Sequence, residues 1–114
     1  MSECLFCQIV AGKIPCTEVH NDENFLAFRD ISPQAPTHIL VIPKRHIGAL
    51  SELDYTDGDL MGRLLLLARK IAADEDLNAG GFRCVINNGH DGGQTVDHIH
   101  LHLLGGRPLG WPPG

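Results

Sequence analysis

The sequence predicts an α+β fold: a mainly antiparallel sheet of about five strands with one long and one short helix. Three observations carry this. The elements read in the order helix, three strands, helix, two strands. Leu60, Leu64, Leu67 and Ile71 recur at steps of three and four, the period of a helix with one buried face. Residues 97–104 alternate between polar and apolar, the period of a strand. The 114 residues suit one compact domain spanning 1–114, and 43% hydrophobic against 20% charged residues gives it the makings of a core.

The chain begins with a short helix over 3–11, where Leu5, Phe6, Ile9 and Val10 fall on one side and Gly12 stops it. Strands over 17–20 and 25–28 flank the turn-forming run Asn21-Asp22-Glu23-Asn24. Residues 32–36 form a loop, since Pro33 and Pro36 lack backbone donors. A third strand covers 38–42 and ends at Pro43. The long helix runs over 57–76, with Asp57 as N-cap and Gly80 just past its end. A fourth strand covers 82–87, a polar Gly-rich connection 89–95, and a fifth strand 97–104. The tail Gly110-Trp111-Pro112-Pro113-Gly114 is neither helix nor central strand.

The net charge of −5 and nine scattered Lys and Arg residues speak against a nucleic-acid face, so an anionic ligand would rely on local dipoles. No run of about 18 apolar residues suggests a membrane span. The start lacks a basic segment followed by an apolar stretch, and a cytoplasmic location is expected. Cys4, Cys7, Cys16 and Cys84 are then more consistent with metal binding or burial than with disulfides.

The informative segment is His98-Ile99-His100-Leu101-His102-Leu103-Leu104. Strand alternation puts His98, His100 and His102 on one face and Ile99, Leu101 and Leu103 on the other. Three readings stand. An exposed edge face usually takes Thr, Lys or Glu. A three-histidine metal site is hindered because ligands in a straight row do not converge on one ion. Catalysis fits a neutral imidazole, a good nucleophile near neutral pH whose neighbours can fix its tautomer. Upstream, Gly92 and Gly93 allow backbone N–H groups to turn inward together as an anion nest, and Gln94 and Thr95 add side-chain donors.

With residues 30–38 (Asp-Ile-Ser-Pro-Gln-Ala-Pro-Thr-His), Val41-Ile42-Pro43-Lys44-Arg45-His46, Asp91-Gly92-Gly93-Gln94-Thr95 and the tail Trp111-Pro112-Pro113-Gly114, the chain resembles the histidine triad (HIT) family, most closely its Hint branch of purine nucleoside phosphoramidases. The resemblance runs over nearly the whole chain and keeps the order of motifs. It implies a HIT-like fold and roles position by position. His100 would attack the α-phosphorus and carry a nucleotidyl intermediate, which water resolves to a nucleoside monophosphate. His102 and His38 would aid proton transfer or stabilise charge. Asn87, Gly93, Gln94 and Thr95 would contact phosphate oxygens or the leaving group, with Thr95 standing where the family usually has Ser. Asp30 would bind the ribose hydroxyls, which an ionised carboxylate can do as a double acceptor, although an Asp before such a loop is also a turn former. Leu5, Phe6, Ile9, Phe28 and Ile31 would wall a purine slot.

Cys4 and Cys7 have the two-residue gap that lets two thiolates share an ion, or are two buried thiols on a short helix. The resemblance implies that they join His46 and His98 in a structural zinc site. No organic cofactor is implied. Cys16 and Cys84 read as buried thiols, and His20 and His90 as surface or loop residues. The implied substrates are AMP-NH2 or AMP-lysine type phosphoramidates, and the implied assembly is a homodimer joined edge to edge, each tail near the partner's site. The alternatives are a dinucleoside polyphosphate hydrolase and a nucleotide-binding regulatory or scaffold protein.

Overall fold

A computed structural model describes residues 3–114. Five strands form one sheet: β1 (Glu18–Asn21), β2 (Phe25–Arg29), β3 (Thr37–Pro43), β4 (Phe82–Val85) and β5 (Leu101–Gly105). Their order is β1-β2-β3-β5-β4, and every neighbouring pair is antiparallel. The helices are α1 (Leu5–Val10), α2 (Gly58–Asp74) and the single turn α3 (Gly89–Gly92).

The sheet is covered on both faces, and strand parity decides which residue meets which cover. On one face Phe25, Ala27, Ile39, Val41, Leu101 and Leu103 pack with Leu64, Leu67, Ala68 and Ile71 of α2. On the other, Leu26, Phe28, Leu40 and Ile42 pack with Phe6, while Ile9 and Val10 of α1 lie against them. Burial on both faces makes β2 and β3 nearly continuous apolar runs. The register sets Leu40 opposite His102 and His38 opposite Leu104, so these histidines rise from the α1 face.

Several boundaries differ from the sequence reading. The fifth strand starts at Leu101 rather than at residue 97, because Ile99 N–H bonds Ile47 carbonyl (2.7 Å) and residues 97–100 run as bends and open chain. α2 ends at Asp74, and Asp76 with φ 61° turns the chain away, so Gly80 is not its cap. Asp57 precedes α2 without a side-chain cap; its carboxylate instead accepts from Asp54 N–H and pairs with Arg45. The stretch before α2 holds two short 3-10 turns, Leu50–Glu52 and Tyr55–Asp57. The fourth strand stops at Val85, and the 89–95 connection contains α3. Cys84 lies exposed on the sheet edge and Cys16 is half-buried, so neither is a buried thiol.

Candidate active site and candidate metal centre

Between α1 and the histidine end of β5 lies a cleft of about 250 Å³. Leu5, Phe6 and Ile9 of α1, Phe28 of β2, Asp30 and Ile31 just after β2, and Thr95, His100 and His102 line it. The sequence placed all nine here; Ile31 is a rim residue, 99% exposed.

Backbone groups fix the tautomers of His100 and His38, and His38 in turn fixes that of His102. His100 Nδ1 lies 2.7 Å from the carbonyl of His98. A carbonyl only accepts, so Nδ1 holds the proton and the neutral ring keeps its lone pair on Nε2. The ring of His100 is 3% exposed, and Phe6 meets it edge-on at 5.1 Å. His38 has the opposite arrangement. Its Nδ1 accepts from Gln34 N–H (3.0 Å), so its proton sits on Nε2 and donates to His102 Nδ1 (2.9 Å). His102 is left with an Nε2–H donor. Burial, then the neighbouring His100 and His38, holds His102 down to about 4, so the ring is neutral at pH 7. Burial also lowers His38, against the pull of Asp30.

Asp30, His38 and His102 bring possible ligand atoms within 4.8 Å of one another. Coordination is chemically disfavoured there, because His38 Nε2 carries a proton and His102 Nδ1 receives it. The two rings are joined by that hydrogen bond, and Asp30 lies beside them with its Oδ2 3.5 Å from His38 Nε2. The other Asp30 oxygen accepts from Ser32 N–H (2.8 Å), so this residue shapes a turn and also lines the cleft.

The turn upstream differs from the expected nest. Gly93, at φ 83°, closes α3, a conformation natural to glycine. Of the expected Gly92–Gly93 pair, the Gly93 N–H bonds back to the carbonyl of His90, and the next N–H, of Gln94, bonds back to that of Gly89, so neither is turned toward a ligand. The Gln94 side chain is committed too. Its Oε1 accepts from Gly89 N–H (2.8 Å), and its Nε2 donates to the carbonyls of Gly48 (2.7 Å) and Val96 (3.0 Å). Gln94 therefore ties the turn down and has no donor left over for a phosphate. Asn87 and Gly93 stand beside each other, as a Cβ at Gly93 would lie 4.0 Å from Asn87 Nδ2, and neither lines the cleft.

A second constellation lies behind α1. Cys4 Sγ is 3.4 Å from His98 Nδ1, and Cys7 Sγ is 3.3 Å from His46 Nδ1 and 3.6 Å from His98 Nδ1. The two Nδ1 atoms are 3.2 Å apart. A tetrahedron with metal–ligand bonds of about 2.0–2.3 Å has edges of roughly 3.3–3.8 Å, close to these separations. The donor chemistry fits as well: His98 Nε2 donates to Pro43 carbonyl (2.8 Å), which leaves the Nδ1 lone pair facing the two sulfurs. Burial and the adjacent Cys4 push the Cys7 thiol up to about 11, so a cation would be needed to hold it as thiolate. These residues fit a zinc ion.

Residues 11–109 match the model of the HIT domain. The chain belongs to the HIT family. The crystal structure of a HIT family hydrolase from Legionella pneumophila is similar at a TM-score of 0.97 and 54% identity, covering 98% of this chain and 100% of that one. The adenylylsulfatase HINT1 of Arabidopsis thaliana is 50% identical over 99% of this chain and 78% of its own. A 14 kDa zinc-binding protein of Zea mays is also 50% identical, over 99% of this chain and 89% of its own. The five-stranded antiparallel sheet with one long helix is the HIT fold.

This HIT cleft has lining that the sequence reading missed, notably Ile14, Cys16, Leu40 and Val96. Leu40 was reachable, since strand parity sets it two residues from His38 on the same face. Ile14 and Cys16 lie in an irregular segment before β1, where no periodicity marks a side. Among the described residues no helix is long and apolar enough to cross a membrane.

Proposed function

We propose that this HIT protein hydrolyses purine nucleoside 5'-phosphoramidates through a nucleotidyl-His100 intermediate. The observation that carries the reading is the His100 tautomer: a carbonyl holds Nδ1–H, and the ring, bearing its lone pair on Nε2, borders a cleft walled by Leu5, Phe6, Ile9 and Phe28. That wall suits the faces of a flat base without reading its edge. Asp30 at the rim receives the ribose hydroxyls. Nε2 of His100 attacks the α-phosphorus, the P–N bond breaks, and the amine leaves with the electron pair. Water then attacks the phosphorus, the P–Nε2 bond breaks with its electron pair returning to His100, and the water's proton passes to solvent as the nucleoside monophosphate is released. The neutral His102 cannot give up its Nε2 proton without becoming an anion, so it stabilises phosphoryl oxygens by hydrogen bonding, and the departing amine takes its proton from solvent. The same reading assigns the hydroxyl of Thr95, which lines the cleft, to a phosphoryl oxygen, and assigns Asn87 and Gly93, which stand beside each other in the turn, to the phosphate as well. The relative named an adenylylsulfatase agrees with an adenylyl group as the transferred unit.

The same reading assigns zinc to Cys4, Cys7, His46 and His98, supported by their geometry and by the name of the maize relative. Zinc there closes all four positions and ties α1 to the sheet, so it takes no part in the reaction. It also assigns a single HIT domain working as a homodimer in the cytoplasm. The edge strand β4 exposes Phe82 at 39%, α2 exposes Leu65 and Leu66 at 52% and 59%, and Arg83 holds the carbonyls of Leu109 and Gly110 so that the tail leaves beside this edge. Four cysteines without a disulfide suit a reducing compartment.

The test is to quench the reaction of an adenosine phosphoramidate early and weigh the peptide containing His100. An adenylylated peptide in the native chain, absent from His100→Ala, is expected. Turnover retained by His100→Ala would refute the assignment. A dinucleoside polyphosphate run in parallel, and cleaved faster, would move the protein to the alternative substrate class.

A further inference from the structure

We propose that the metal centre and the nucleotide cleft are thermodynamically linked, each ligand tightening the binding of the other. The inference rests on the zinc and nucleotide readings above and concerns the residues between the two sites.

Two connections join them. The first is α1. Leu5 and Phe6, both in the cleft wall, lie between the two ligating thiols in Cys4-Leu5-Phe6-Cys7. α1 has six residues, and its N-cap is the Cys4 sulfur itself, accepting from Cys7 N–H at 3.3 Å. A helix that short does not hold itself in water, so its position comes from its anchors. A metal that fixes both sulfurs fixes the turn that carries Leu5 and Phe6. The Phe6 ring in turn meets His98 of the metal centre (5.9 Å) and His100 of the cleft (5.1 Å), touching both sites at once.

The second connection is His98. Its Nδ1 faces the sulfurs, its Nε2–H is held by Pro43 carbonyl, and its own carbonyl receives His100 Nδ1–H at 2.7 Å. Residues 97–100 lie outside the strand ladder, so the sheet leaves the His98 carbonyl less constrained than a strand residue's. Ligation of the His98 ring therefore limits the direction of the carbonyl that orients the nucleophile. A nucleotide seated against Leu5, Phe6 and His100 restrains the same atoms from the other side. When two ligands each order the same segment, the second to bind meets a segment already ordered, and the coupling factor is the same in both directions.

The experiment uses zinc and AMP. AMP affinity is measured by calorimetry on zinc-loaded and chelator-stripped protein, at a temperature where circular dichroism shows the stripped chain folded. Zinc affinity is measured by competition with a chromogenic chelator at increasing AMP. Each ligand is expected to strengthen the other by the same factor, about fivefold or more. Phe6→Leu keeps all four ligands and is expected to reduce that factor. Factors within about twofold of unity, with zinc and AMP both bound, overturn the linkage and leave the two site readings standing. No stoichiometric zinc, or no AMP binding, overturns the corresponding site reading and the linkage with it. Should the stripped chain not fold, the cobalt-loaded protein decides: its thiolate-to-cobalt and d–d bands shift on saturation with AMP, and an unshifted spectrum overturns the proposal.

Discussion

His98 and His100 are two residues apart, are both buried, and present opposite ring nitrogens to their surroundings. His98 gives Nε2–H to Pro43 carbonyl and turns the Nδ1 lone pair to two thiols. His100 gives Nδ1–H to His98 carbonyl and keeps its lone pair on Nε2 beside the cleft. The residue type is the same, so the difference lies in which nitrogen a backbone carbonyl claims. One imidazole is thereby suited to a metal and the other to a phosphorus atom, without any charged partner for either.

Exchanging the two residues' fates is the strongest way to break this comparison. His100→Ala is expected to lower kcat by more than about a thousandfold while zinc content and circular dichroism stay native. His98→Ala is expected to lose stoichiometric zinc by metal analysis and to lower Tm by more than about 5 °C. A His98→Ala chain that keeps its zinc, or a His100→Ala chain that loses it, would show that the two rings do not divide the work.

A smaller effect is expected at Gln94, which the sequence reading placed on the phosphate and the structure commits to the turn. Gln94→Ala removes the tie between Gly89, Gly48 and Val96, and kcat/KM for an adenosine phosphoramidate is expected to fall about tenfold. Gln94→Glu is expected to be worse, because a carboxylate oxygen then faces the carbonyls of Gly48 and Val96 where an amide donor stood. Equal losses in Ala and Glu variants would return Gln94 to a simple ligand role.

Legibility in the sequence followed burial. β2, β3 and α2 were readable because a two-sided sheet produces long apolar runs and a one-sided helix produces steps of three and four. The start of β5 was misread because residues 97–100 alternate like a strand, yet His98, Ile99 and His100 are all buried and Ile99 pairs with Ile47 instead of the ladder. The end of α2 depends on Asp76 accepting φ 61°, a tertiary choice that an aspartate does not announce. At the site, the histidine row was legible from its alternation, whereas Asp30 and the apolar wall, which line the cleft, were assigned through family resemblance. The set Cys4, Cys7, His46 and His98 was legible only through family resemblance, because ligands up to 94 positions apart leave no local period. The commitment of Gln94 was hidden for a related reason, since Gly48 lies 46 positions away.

The smallest expected effect is a pH dependence, and it sharpens the comparison by following a third ring. His102 titrates near 4 in the folded chain and near 6.5 when unfolded, mainly because burial disfavours its charged form. Between those values the unfolded chain binds more protons than the folded one, so stability rises with pH there. Conversely, stability is lost as pH falls from about 6.5 toward 4, and above that window this ring contributes no slope. Protonation of the four residues assigned to zinc would also destabilise in acid, so the native Tm alone does not isolate His102. The measured quantity is the fall in Tm from pH 7 to pH 5 in the native chain minus the same fall in His102→Gln, in which the ligand contribution is common and cancels. A positive difference is expected. A difference of zero would mean that His102 takes up its proton in the folded chain as readily as in the unfolded one, and the neutral donor assigned to it beside the phosphate would have to be replaced by a cation.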